Sequence, residues 1–151
     1  MKKDILKEIS NQEKTEMPLC PSARPETKNS AVFGVVGGTV DEPRVNYLKQ
    51  PQPVTEDLLS VASPVTPTEV FRIAGECAGN GCQHFDGQNC GLATRVANQL
   101  SVATETLPPC PIRRDCRWWQ QEGKSACMRC PQVITDNYNP SLLDRQVATP
   151  T

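Results

Sequence analysis

Aromatic residues are scarce in this chain: Phe, Tyr and Trp make up 5% of 151 residues. The hydrophobic share is 37%. Together these values exclude a large apolar core and leave room for one domain of ordinary size. No run of about 18 apolar residues occurs, so the sequence offers no membrane-spanning helix. Neither sign of charge dominates: the net charge is -1, which argues against the basic surface of a general nucleic-acid binder. After Met1-Lys2-Lys3 there is no apolar stretch of about 7 to 15 residues, so no secretory signal is read and the expected compartment is the cytoplasm. Internal repeats are also missing.

Several catalytic motifs are missing too. His84 is the single His, and a Cys–His nucleophile pair built on it has no third group to orient it. Gly37-Gly38 belongs to neither GxGxxG nor a Gly-rich loop ending in Lys-Ser/Thr, so it reads as a hairpin turn and not a phosphate cradle. No βαβ pattern flanks Cys127-Met128-Arg129-Cys130, which argues against a thioredoxin-like dithiol. With no substrate-pocket chemistry in view, a complete enzyme is not expected.

What the chain does have is 14 Pro, 9 Gly and 8 Cys. The Pro and Gly content implies many turns and short elements. Residues 1–30 are polar, with one short helical start at Ile5-Leu6 to Ile9, and read as a disordered arm. Ala31–Val36 and Arg44–Leu48 read as strands around the Gly37-Gly38 turn, with Pro51 and Pro53 interrupting afterwards. Thr55 caps a short helix whose first turn is acidic. Glu69–Ile73 alternates as a third strand. Leu92, Ala93, Val96, Ala97 and Leu100 fall on one helical face, with Asp86-Gly87 or Asn89 as its start. A further helix is expected from Arg113 to Gln121, ended by Gly123. Residues 135–151 read as a flexible tail. The expected fold is α+β: one domain over residues 31–134, with a short N-terminal antiparallel sheet and a Cys-rich helical and loop region stapled by metal.

Seven of the eight Cys lie between residues 77 and 130. The first group is Cys77-x4-Cys82-x7-Cys90, and the second is Cys110-x5-Cys116-x10-Cys127-x2-Cys130. A reducing compartment favours a metal site over disulfides for such a segment. Thiolates are soft ligands that suit zinc, copper(I) and iron–sulfur clusters. The second group supplies four ligands by itself. A four-Cys zinc site normally pairs two short knuckles, and here Cys127-x2-Cys130 fits well, with Cys77-x4-Cys82 as a second candidate. Clusters accept more irregular spacings. Cys20, Cys110 and Cys130 are each followed by Pro, as is the Cys that closes the bacterial ferredoxin run. An iron–sulfur cluster, 2Fe-2S or 4Fe-4S, is therefore the leading expectation, with zinc the alternative and metal-free Cys the third. The first group lacks an obvious fourth ligand. His84 and Cys20 are candidates. Alternatively, the group contributes to the site of the second, or its Cys are simply buried.

Residues 113–131 carry a resemblance. Arg113-Arg114-Asp115-Cys116-Arg117-Trp118-Trp119 followed by Cys127-Met128-Arg129-Cys130-Pro131 is similar to the C-terminal motif of ferric-siderophore reductases. That family holds a two-iron cluster on Cys-Cys-x10-Cys-x2-Cys. Cys116, Cys127 and Cys130 match three of its ligands and their spacing. Asp115 stands where the family has its first Cys, and Cys110 is the candidate replacement. The resemblance spans about 20 residues and implies an iron–sulfur site without implying a siderophore substrate.

Arg113, Arg114, Arg117 and Arg129 crowd the second group. They can offset the charge of a thiolate-ligated cluster or dock an acidic protein redox partner. Trp118 and Trp119 can shield a cluster from water. Interleaved with the arginines, they also suit nucleic-acid stacking, which the weak overall charge disfavours. The expected function is iron–sulfur binding for electron transfer, or as an accessory or sensor subunit. A zinc-stabilised interaction module is the alternative and a nucleic-acid adaptor the third.

Overall fold

A computed structural model describes residues 17–39 and 41–150. The helical start expected at Ile5-Leu6 to Ile9 lies outside the described residues. Strands β1 (Leu19–Cys20), β2 (Ala31–Gly38), β3 (Pro43–Pro53) and β4 (Phe71–Glu76) form one antiparallel sheet in the order β1-β4-β2-β3. The fold is α+β, as expected.

The β2–β3 hairpin is longer than the sequence pattern implies. Gly38 ends β2 opposite Pro43, so the strands run to within a few residues of each other along the chain. The Thr39 amide donates to the Glu42 carbonyl at 3.2 Å, and the Glu42 amide donates to Thr39 Oγ1 at 3.0 Å. Gly38 has φ +78°, and a Cβ there would strike the Glu42 carbonyl, so glycine is required. Strand β3 continues through Pro51 and Pro53, the prolines expected to interrupt it. It is an edge strand, where a missing outward N–H costs no ladder bond.

Helix α1 (Glu56–Ser60) is capped by Thr55, whose Oγ1 accepts from the Leu58 amide at 3.1 Å. The strand expected over Glu69–Ile73 starts two residues later. Thr66 and Glu69 form a capping box around the one-turn helix α2 (Pro67–Val70), which claims Glu69 and Val70. Strand β4 then carries Phe71 and Ile73 toward one core with Val32 and Ala23. Ala74 goes to the other core with Phe33 and the helices.

That second core receives α3 (Gly91–Gln99), α4 (Arg117–Glu122), α5 (Lys124–Cys127) and α6 (Leu142–Ala148). Helix α3 buries Ala93, Val96 and Ala97 from the expected face, but its N-cap is Cys90 and not Asp86 or Asn89. The helix expected from Arg113 is split. Arg113–Asp115 is a 3-10 turn, Cys116 is extended at φ -79°, ψ 127°, and α4 begins after it. Gly123, at φ +63°, ends α4 as expected.

The domain is wider than residues 31–134. Within the expected arm, β1 pairs with β4, the Ala23 amide donates to the Ile73 carbonyl at 2.9 Å, and Ala23 is buried. Within the expected tail, α6 buries Val147, and Asp136 takes two hydrogen bonds from Arg24 at 2.8 and 3.0 Å and a third from Thr68. These long-range pairings are invisible to local composition. Among the described residues no helix is long and apolar enough to cross a membrane.

Candidate metal centre

All eight Cys are free thiols, and the fold sorts them into two sets of four. Cys110, Cys116, Cys127 and Cys130 line one small cavity of about 20 Å³. Three short elements place them. Cys116 is the extended residue before α4, Cys127 ends α5, and Cys130 opens a 3-10 turn at Cys130–Gln132. Phe33, Tyr47, Ile112 and Trp118 close the cavity, and Cys116, Cys127 and Cys130 are buried. Burial pushes the Cys127 thiol up to about 11, with Cys130 adding and the Arg113 guanidinium opposing. Burial raises Cys110 and Cys116 as well. Neutral thiols are what this pocket favours when nothing else is in it, so metal binding must release protons.

Arg72 is the residue the sequence reading missed. In Phe71-Arg72-Ile73 it reads as the polar, outward member of an alternating strand, yet it is 0% exposed. Its guanidinium lies over the rings of Phe33 and Trp118, at 5.3 and 5.8 Å from their centroids. Nε and Nη2 donate to the Pro21 carbonyl at 3.0 and 2.9 Å. Nη1 donates to the carbonyls of Cys130 and Val133 at 2.8 and 2.9 Å, and Nη2 donates to Cys130 Sγ at 3.1 Å. Among the described residues the one salt bridge is Arg24–Asp136, so Arg72 has no carboxylate partner. Burial opposes its charge, but the acidic groups of Cys130, Tyr47 and Cys116 beside it favour the charge, and its pKa stands above the ordinary value. A buried cation needs an anion, and the thiol set is what stands beside it.

Among the described residues, three buried N–H donors are left without an acceptor: Trp118 Nε1, Arg113 Nε and Arg117 Nε. Arg113 lines the first cavity and Arg117 the second, while Trp118 lines both. Such orphans are costly and ask for an explanation. An anionic group seated among the thiols would offer acceptors to such donors.

The other four thiols share the second, larger cavity, of about 930 Å³. Cys77, Cys82 and Cys90 are joined there by Cys20 from β1. Cys77 follows β4, and its amide donates to the Pro18 carbonyl at 2.8 Å, which sets it beside Cys20. Cys77 Sγ accepts from the Gly79 amide at 3.4 Å, and Cys90 Sγ accepts from the Ala93 amide at 3.5 Å. Burial pushes the Cys20 thiol up to about 12, and Cys90, Cys77 and Cys82 add to the shift as like-charged neighbours. His84 also lines the cavity, but its Nδ1 is engaged by Arg95 Nη2 at 2.7 Å.

The four arginines expected to form a docking patch do not share one exposed face. Arg113 stacks over Trp119 at 5.6 Å and Arg117 over Phe85 at 5.4 Å, each turned toward a thiol set. Arg129 donates to the carbonyls of Leu100 and Ser125 at 2.7 and 2.8 Å. Only Arg114 is exposed.

Among the described residues, no three or more His, Cys, Asp or Glu side chains are arranged to hold one metal ion as they stand. A zinc ion at about 2.3 Å from each sulfur draws four thiolates to within about 4 Å of one another. A cluster spreads its thiolates over several irons and tolerates a wider set.

The fold and the two four-thiol cavities together define a small cysteine-rich α+β protein. Comparison with protein-family models, with curated proteins and with solved structures finds no match.

Proposed function

We propose that the chain binds an iron–sulfur cluster on Cys110, Cys116, Cys127 and Cys130 and serves in electron transfer, as a small carrier or as an accessory or sensor subunit of a larger redox enzyme. The observation that carries this reading is Arg72: a fully buried guanidinium bonded to Cys130 Sγ, with no carboxylate partner among the described residues. It supports an anion among these four thiols. The orphaned Nε of Arg113 and Nε1 of Trp118 support the same reading, because a cluster offers sulfur acceptors beyond those of the cysteines.

When bound, such a cluster accepts and returns an electron. The chain's own residues do the rest. Phe33, Ile112 and Trp118 keep water away from the thiols. Arg72 offsets negative charge from one side and Arg113 from another. Cys110 lies in the same cavity as the three Cys that match the siderophore-reductase motif, which supports its taking the role of that family's first Cys, at whose position this chain has Asp115. The partner in this reading is another redox protein.

The test is reversible reduction of anaerobically purified protein. The expected result is a visible absorption band that bleaches with dithionite and returns on controlled oxidation. Cys116→Ser or Cys130→Ser removes the absorption contributed by this site. A colourless protein that holds zinc and stays colourless after iron and sulfide reconstitution overturns the proposal and favours the structural zinc module.

A further inference from the structure

The first three Cys of the Cys-rich segment lack a fourth partner in the sequence, and the fold supplies one. Strand β1 is only two residues long, yet it is held on both sides. Leu19 and Cys20 pair with Glu76 and Gly75 of β4, and Leu19 also forms a parallel bridge to Cys116. The β4 pairing brings Cys20 to the end of the strand that leads into Cys77. The bridge Phe85↔Cys90 and the 2.6 Å bond from the Gly91 amide to the His84 carbonyl close the loop that carries Cys82 back onto Cys90. Four thiols from three separate stretches of chain thus face one cavity.

We propose that Cys20, Cys77, Cys82 and Cys90 form a second iron–sulfur site, so that each chain holds two clusters. The iron–sulfur character of this site rests on the proposed function. The four-thiol grouping stands on geometry alone. Two features mark the grouping as a ligand site and not four buried thiols. Backbone amides of Gly79 and Ala93 already donate to Cys77 Sγ and Cys90 Sγ, the arrangement that stabilises a thiolate. Arg117, whose buried Nε has no acceptor among the described residues, also lines this cavity. Gly91 keeps the entry to α3 open, since a Cβ there would lie 2.9 Å from Arg95 Nη1 and 3.0 Å from the His84 carbonyl.

The two sites are neighbours. Leu19 bridges Cys116 of the first site, and the next residue, Cys20, belongs to the second. Strand spacing puts the backbones of Cys20 and Cys116 about 6 Å apart. The indole of Trp118 lines both cavities. Two paramagnetic clusters held by cysteines on such closely spaced backbones interact magnetically.

The experiment measures iron, sulfide and zinc in anaerobically purified full-length protein, beside Cys20→Ser, Cys82→Ser and Cys116→Ser. Cys82 is half-buried in a loop, so its variant guards against misfolding. The proposal expects iron and sulfide to fall to about half in each variant, because each keeps one intact site. The reduced wild type is expected to show a spin-coupled paramagnetic signal that becomes a simple one in each variant. If Cys20→Ser and Cys82→Ser keep the wild-type iron while Cys116→Ser loses it, the second site is refuted and the first stands. Zinc lost from the Cys20→Ser and Cys82→Ser variants, with iron unchanged, also refutes it. Absence of iron from every form, wild type included, refutes both readings.

Discussion

Replacing Arg72 by Met tests the electrostatic logic of the site. The wild-type guanidinium makes five hydrogen bonds, to the carbonyls of Pro21, Cys130 and Val133 and to Cys130 Sγ. Methionine fills much of the same space between Phe33 and Trp118 but donates nothing. Each buried acceptor left unmet costs about 1 to 3 kcal/mol. Removing one member of a buried charge pair costs about 3 to 5 kcal/mol, because the remaining charge stays desolvated. With three carbonyls and one sulfur left unmet and the charge pair broken, the metal-loaded protein is expected to lose at least about 5 kcal/mol, against a whole-domain stability of about 5 to 15 kcal/mol. The metal-free protein should lose less, since its thiols are neutral and only hydrogen bonds are forfeited. Arg72→Lys should fall between, keeping the charge without the planar fork. Urea denaturation of loaded and metal-free forms, followed by circular dichroism, measures both losses. A loaded Arg72→Met protein as stable as wild type, with the same iron content, refutes the claim that Arg72 balances an anion.

Three further outcomes are expected. The pH dependence of stability should reverse with loading. In the metal-free protein the Cys20 and Cys127 thiols ionise at about 12 and about 11 when folded, against 9.0 otherwise, so their contribution is whole below pH 9 and is lost as pH rises toward those values. In the loaded protein acid competes for the thiolates, so stability should fall as pH drops; melting curves across pH compare the two forms. Trp118→Phe keeps much of the packing but removes the unpaired indole N–H of a residue that lines both cavities, so redox titration should find a more negative potential. Asp136→Asn weakens the contacts to Arg24 and Thr68 and should lower stability by up to about 1 kcal/mol in urea titration, since the Arg24 pair is partly exposed.

Local pattern carried much of the fold. The face of α3 follows from the spacing of Leu92, Ala93, Val96, Ala97 and Leu100, and the Thr55 cap from the acids behind it. The second Cys group is legible because its four ligands are close in sequence. The fourth thiol of the first group was only one of several candidates, because a two-residue strand such as β1 has no periodicity and its position depends on pairing with β4 and Cys116. Arg72 was missed for a related reason. Alternation reports which side chains share a face, but not that one face meets thiols instead of water. The arm and tail looked disordered because Arg24 and Asp136 meet only when the chain is folded.

Elemental analysis of protein purified without oxygen tests the central claim most directly. The account predicts iron and acid-labile sulfide in matching amounts, in a brown sample, with zinc minor. Zinc as the sole metal, in a colourless sample that does not take up iron and sulfide, contradicts it.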